Sequence, residues 1–192
     1  RTAALVFVAK AVRTYCYGFL GVLFPVHLSV LGVGPEGIGI AITLTLVSSA
    51  AMTVAMRRPA ERLGSRAVLI ALAGLIVASA LLFATTRSAA LAVLAAMLGN
   101  LAVSVGETGP FLSVEQVLVA RAVSGPGLTM RMSLYNLVGY VAAGLGSLTV
   151  TLLASGNSSG GLSGTPYQAL FWVFAGSGVA QMLVYGRLEP GR

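Results

Sequence analysis

Runs of roughly 20 apolar residues recur along this chain, and runs of that length match the hydrocarbon thickness of a bilayer. A soluble core helix needs only about 10–14 such residues. Charge is scarce to match: 9% of residues are charged and 57% hydrophobic, with a mean hydropathy of +0.92. Soluble domains carry about 25% charged residues, so this chain has too little polar side chain to cover a globule in water. The sequence predicts an all-α membrane protein with six spans, near residues 4–31, 37–56, 67–85, 89–119, 132–154 and 167–186. The first and fourth exceed the length needed to cross, and each holds a proline, Pro25 and Pro110. Tilt and a proline kink would absorb the excess.

The net charge of +7 would suggest nucleic acid in a soluble protein. Here the arginines sit at the ends of apolar runs and form no basic stripe with interleaved aromatics, so no nucleic-acid partner is expected. Arg57, Arg58, Arg62 and Arg66 crowd the gap between spans two and three. Arg121 and Arg131 flank the gap between spans four and five, and Arg187 and Arg192 follow span six. The opposite gaps hold only Arg87. Positive-inside bias then places both chain ends and the 57–66 segment in the cytoplasm. The chain starts at Arg1 rather than Met, which suggests a piece of a longer protein. Cys16 is the single cysteine, so no internal disulfide or cysteine-based metal site is expected.

Charges inside a span cost at least ~2.5–3.5 kcal/mol and need a partner or a wet cavity. Arg13 in span one and Glu107 in span four, which runs the other way, fall at similar depth. They therefore suggest an ion pair, either a static clamp or a cavity-lining site for substrate or proton. Lys10 and Glu115 lie nearer the ends, where side chains snorkel. Tyr15, Tyr17, His27, Asn100, Tyr135, Asn136 and Tyr140 are further polar candidates, with His27 read as interfacial. In span five, Gly139, Ala142, Ala143, Gly146 and Ser147 recur at spacing four, which permits close helix approach. Gly32-x-Gly34-x-x-Gly37 fits a dinucleotide fingerprint but follows a membrane run and contains Pro35, so it reads as a turn. Gly176-Ser177-Gly178 has no later histidine to activate its serine. Asn157-Ser158-Ser159 reads as a chance glycosylation match. No nucleophile–base or metal-ligand set is present, so no enzyme activity, cofactor or metal is expected.

The segment 57–66 resembles the signature loop between helices two and three of the major facilitator superfamily, G-x-L-A-D-R-x-G-R-R. Ala60-Glu61-Arg62-Leu63-Gly64-Ser65-Arg66 aligns with its A-D-R-x-G-R-R part. Arg57, Pro59, Glu61 and Ser65 depart from the pattern. Gly106-Glu107-Thr108-Gly109-Pro110-Phe111, Met130-Arg131-Met132-Ser133-Leu134-Tyr135-Asn136, and Arg13 with Tyr17-Gly18-Phe19 resemble a poorly characterised bacterial group of facilitators. The arginine-centred pattern of proton antiporters is absent from span four, which has Glu107 instead.

The resemblance implies six transmembrane helices as a 3+3 inverted repeat, the N-terminal half of a twelve-helix fold in a bacterial plasma membrane. The implied activity is secondary active transport of a small solute by alternating access. The other wall of the path would come from a C-terminal six-helix half or a second copy. Arg13, Glu107, Tyr17 and Asn136 are the implied polar centre, and Glu61, Arg62, Gly64 and Arg66 the gating loop. A non-transporting scaffold or assembly subunit is the rival reading, with no need for charges matched in depth.

Overall fold

The computed structural model describes residues 2–101, 109–122, 127–155 and 165–188. These form seven α-helices: α1 (Thr2–Val30), α2 (Pro35–Leu63), α3 (Ser65–Thr85), α4 (Ala89–Leu98), α5 (Pro110–Ala122), α6 (Leu128–Ser155) and α7 (Thr165–Gly186). Five of them, α1, α2, α3, α6 and α7, are long and apolar enough to cross a membrane. The expected fourth span is instead a pair of shorter helices, α4 and α5.

Helix limits follow local chemistry. Gly32 takes φ +84, with its N–H on the Ser29 carbonyl (3.0 Å) and the Val33 N–H on the Leu28 carbonyl (3.0 Å). This paired closure ends α1. Gly34 then caps α2, with Pro35 in its first turn, where a missing N–H costs nothing. The dinucleotide-like glycines are thus a helix–turn–helix connection. The basic segment is not the expected loop. α2 runs on through Pro59 to Leu63, and the turn is made at Gly64 (φ +82). A 29-residue helix is about 43 Å long. It outreaches a hydrocarbon layer of about 30 Å, so it must either tilt or project beyond the apolar zone.

α1 lies against α6, and α3 against α7, as the two most extensive contacts, with α1 also meeting α7. Small residues set the first of these. A methyl group built on Gly18 would overlap the Ala143 backbone, and one on Gly146 would overlap the Tyr15 carbonyl oxygen. The Ser147 hydroxyl donates to the Gly18 carbonyl (3.1 Å), and Tyr15 and Thr149 share a hydroxyl hydrogen bond of 2.8 Å. The small residues of span five are therefore the α1 contact. On α3, Leu69, Leu72, Ala73, Ile76, Ala80 and Phe83 form one buried stripe at helical spacing. Phe19, Leu20, Leu23 and Phe24 of α1 and Phe171 and Phe174 of α7 complete the same core.

Candidate functional site

The break between α4 and α5 is built by specific residues. Leu98 is the last helical residue of α4, and Asn100 adopts φ +50. The Asn100 N–H bonds the Met97 carbonyl (3.3 Å) and the Leu101 N–H bonds the Ala96 carbonyl (3.1 Å). This is a Schellman closure with asparagine in the left-handed position usually given to glycine. Neighbouring helices satisfy further carbonyls: Tyr17 donates to the Gly99 carbonyl (3.1 Å) and Ser79 to the Ala95 carbonyl (2.6 Å). With ten residues, α4 is about 15 Å long, about half of a hydrocarbon layer of about 30 Å. Tyr17 and Ser49 are mid-helix in α1 and α2.

α5 starts from Gly109, whose φ of +141 suits glycine alone, followed by Pro110. The Asn100 side chain is 2% exposed, and neither its amide nitrogen nor its oxygen has a hydrogen-bond partner. A methyl built on Gly109 would overlap the Asn100 Nδ2 and stand 2.9 Å from the Ser49 Oγ. Gly109→Ala should therefore cost about 1–3 kcal/mol through backbone strain and the clash. Thermal unfolding of the purified protein in detergent checks this; an unchanged transition would mean the break relaxes freely.

One turn along α1 from Tyr17, Arg13 sits at the centre of a buried cluster. Its guanidinium donates twice to Glu115, at 2.9 Å and 2.7 Å, in a bidentate pair with both side chains fully buried. Its Nη1 also donates to the Tyr185 hydroxyl (2.8 Å) and, at 3.4 Å, to the side-chain Oε1 of Gln181. Tyr135 donates to Oε2 of Glu115 (2.5 Å), and Tyr185 donates to its Oε1. The Phe111 ring lies 4.3 Å from the guanidinium carbon, and the Lys10 ammonium lies 4.3 Å from the Tyr135 ring centre. Helices α1, α5, α6 and α7 meet on this one carboxylate.

The expected partners are only partly the observed ones. Glu107 lies outside the described residues, and the carboxylate described on Arg13 is Glu115. Glu115 lies in the second turn of α5. Glu115 and Lys10 are buried in the bundle, 0% and 2% exposed, rather than snorkelling to an interface. Tyr17 is at the break, as its hydrogen bond to Gly99 shows. Asn136 is exposed, on the α6 face turned away from the cluster, whereas its neighbour Tyr135 reaches Glu115. His27, in the last turn of α1, is buried beside Phe83 and Phe171, ring centres 6.3 Å and 5.5 Å away. Ser177 donates to the Phe174 carbonyl of its own helix (2.8 Å).

Glu61, Arg62, Gly64 and Arg66 all line a cavity of about 790 Å³. Its walls continue through Thr53 and Met56 of α2 and along α5 from Leu118 and Val117 up to Ser113 and Pro110. The cavity thus runs from the basic end of the bundle to the first residue of α5, beside Gly109. Arg57 and Glu61 approach to 3.7 Å across one turn, but both are well exposed, so that pair contributes little to stability. Among the described residues, no three His, Cys, Asp or Glu side chains stand close enough to share a metal ion.

No family model matches the chain. Among curated proteins it is similar to an uncharacterised membrane protein of Saccharomyces cerevisiae, with 24% identity over 174 residues. The match takes in 91% of this chain and 39% of the yeast protein, so the chain spans about two-fifths of that relative's length. With its five membrane-length apolar helices, the chain is a multi-pass, all-α membrane protein.

Proposed function

We propose that the protein is a secondary transporter of a small solute, working by alternating access, with this chain forming one wall of the path. The interrupted fourth span carries the reading. Non-helical backbone at mid-membrane depth is tolerated only where it is buried in protein or lines a wet cavity. Discontinuous helices are also how many transporters place substrate sites near the midplane. Here such a break lies at the inner end of a cavity whose mouth holds Arg57, Arg62 and Arg66. Facilitator membership, a 3+3 inverted repeat and a cytoplasmic basic end belong to the same proposal and rest on the signature-like residues 60–66. The second wall would be a further six-helix half or a second copy.

The fully buried, fully bonded Arg13–Glu115 cluster favours a second reading, a rigid membrane scaffold in which the pair only clamps helices. Site-directed labelling separates the two. Ser113→Cys places a thiol in the cavity wall. Alternating access predicts that a membrane-impermeant maleimide reaches it from the basic side in one state, and that a transported solute changes the rate. A scaffold predicts a constant rate, and proteoliposomes that take up no member of a metabolite mixture faster than protein-free liposomes.

A further inference from the structure

The cavity at the basic end has a charged part and an apolar part. Arg57, Arg62 and Arg66 line it against the single carboxylate of Glu61. Glu61 lies 3.7 Å from Arg57, so its charge is already matched. Among the described residues, Arg62 and Arg66 have no ion-pair partner. They come from different helices, Arg62 from the last turn of α2 and Arg66 from the first turn of α3, on either side of the Gly64 turn. The facing wall is apolar. Val114, Val117 and Leu118 of α5 line it, at the i, i+3, i+4 spacing that places side chains on one helix face. Val117 is 44% exposed, so this strip has apolar surface left to cover. The volume of about 790 Å³ falls within the roughly 300–1,000 Å³ of ligand pockets.

We propose that this cavity seats an anionic phospholipid of the surrounding bilayer, with its phosphate on Arg62 and Arg66 and the upper part of one acyl chain along the α5 strip. Guanidinium groups match phosphate oxygens in bidentate geometry, and basic pockets between membrane helices take anionic lipid headgroups. A soluble anion would satisfy the arginines but leave the strip wet, whereas covering apolar surface is worth about 25 cal/mol per Å². An acyl chain supplies that cover, and the bilayer supplies acyl chains at high local concentration. A phosphate held between Arg62 and Arg66 also ties α2 to α3 across their turn. The basis is the lining of the cavity, independent of transport, although a lipid seated there would occupy the entrance of the path proposed above.

The test is native mass spectrometry of the purified full-length protein released from detergent micelles. It compares phosphatidylglycerol with phosphatidylcholine of the same chains and with soluble glycerol phosphate. Phosphatidylglycerol should bind more tightly than either. Arg62→Gln and Arg66→Gln should each weaken its binding about fivefold, the worth of one arginine near an anionic surface. Arg58→Gln is the control. Arg58 is exposed on the same helix but does not line the cavity, so its loss should leave binding unchanged. Val117→Trp fills the apolar strip and should displace the lipid with every arginine in place, and an unchanged thermal transition shows that the fold is intact. Equal binding of phosphatidylcholine, or no lipid bound at all, overturns the proposal. So does an equal loss with Arg58→Gln, which would mean diffuse attraction to the basic end. Glycerol phosphate binding as tightly as the lipid also overturns it, in favour of a site for free phosphate esters. Lipid binding is read without transport, so its failure leaves the transport reading standing. Lipid binding by a protein that transports nothing would sink only the transport reading.

Discussion

Arg13→Met should destabilise the protein by about 3–5 kcal/mol, because it leaves Glu115 buried without its countercharge. The two tyrosine hydroxyls on that carboxylate soften the loss but do not replace the bidentate guanidinium. Glu115→Leu alone should also destabilise, by leaving the buried Arg13 guanidinium without that carboxylate. The double variant Arg13→Met/Glu115→Leu should recover much of the deficit, since apolar replacement of a whole buried pair is often close to neutral. Thermal unfolding of the four proteins in one detergent gives the coupling directly. Purely additive losses would show that the pair is not the unit that holds α1, α5, α6 and α7 together. The same cycle bears on function. Full transport by a stable double variant would make the pair a clamp, whereas loss of transport with stability intact would place it in the working cycle.

Gly146→Leu should push α1 and α6 apart and cost at the upper end of the roughly 1–3 kcal/mol typical of overpacking, or more. The first carbon of the new side chain already overlaps the Tyr15 carbonyl, so no rotamer relieves it. Gly18→Leu meets the Ala143 backbone in the same way. The separation would also break the Ser147–Gly18 and Tyr15–Thr149 hydrogen bonds. Gly144→Ala is the control on the same helix: nothing lies within 4 Å of the added methyl, and stability should stay within about 1 kcal/mol of wild type. Equal losses at 144 and 146 would mean that α6 does not pack on α1 as described.

Much of the fold is legible because lipid demands long apolar runs, so α1, α3, α6 and α7 fall close to the expected spans. Two parts were misread for physical reasons. Hydropathy averages over a window, and the apolar residues on both sides of Leu98-Gly99-Asn100 mask a helix stop. Gly and Asn in sequence after an apolar run is the local signal that would have found it. Glu115 reads as a snorkelling end residue because, with the helix stop missed, it falls near the end of a continuous fourth span, whereas it lies in the second turn of α5. Pro59 misled in the opposite direction, since it reads as a breaker yet sits inside α2, where the helix ends only at Gly64.

The orientation of α6 was not legible at all. Lipid is as apolar as the bundle interior, so Tyr135 and Asn136, about 100° apart on one helix, carry no contrast that says which one turns inward. By comparison, the small residues of α6 were legible, because close approach needs small side chains whatever the solvent.

Tyr17 holds the severed end of α4, and Arg13, one turn earlier on the same helix, holds the carboxylate shared by α5, α6 and α7. A helical turn is stiff, so α1 cannot shift against one without straining the other. The closure of α4 on Tyr17 and the integrity of the ion cluster are therefore thermodynamically linked, and the linkage is reciprocal: whatever tightens one must be felt, in equal free energy, by the other.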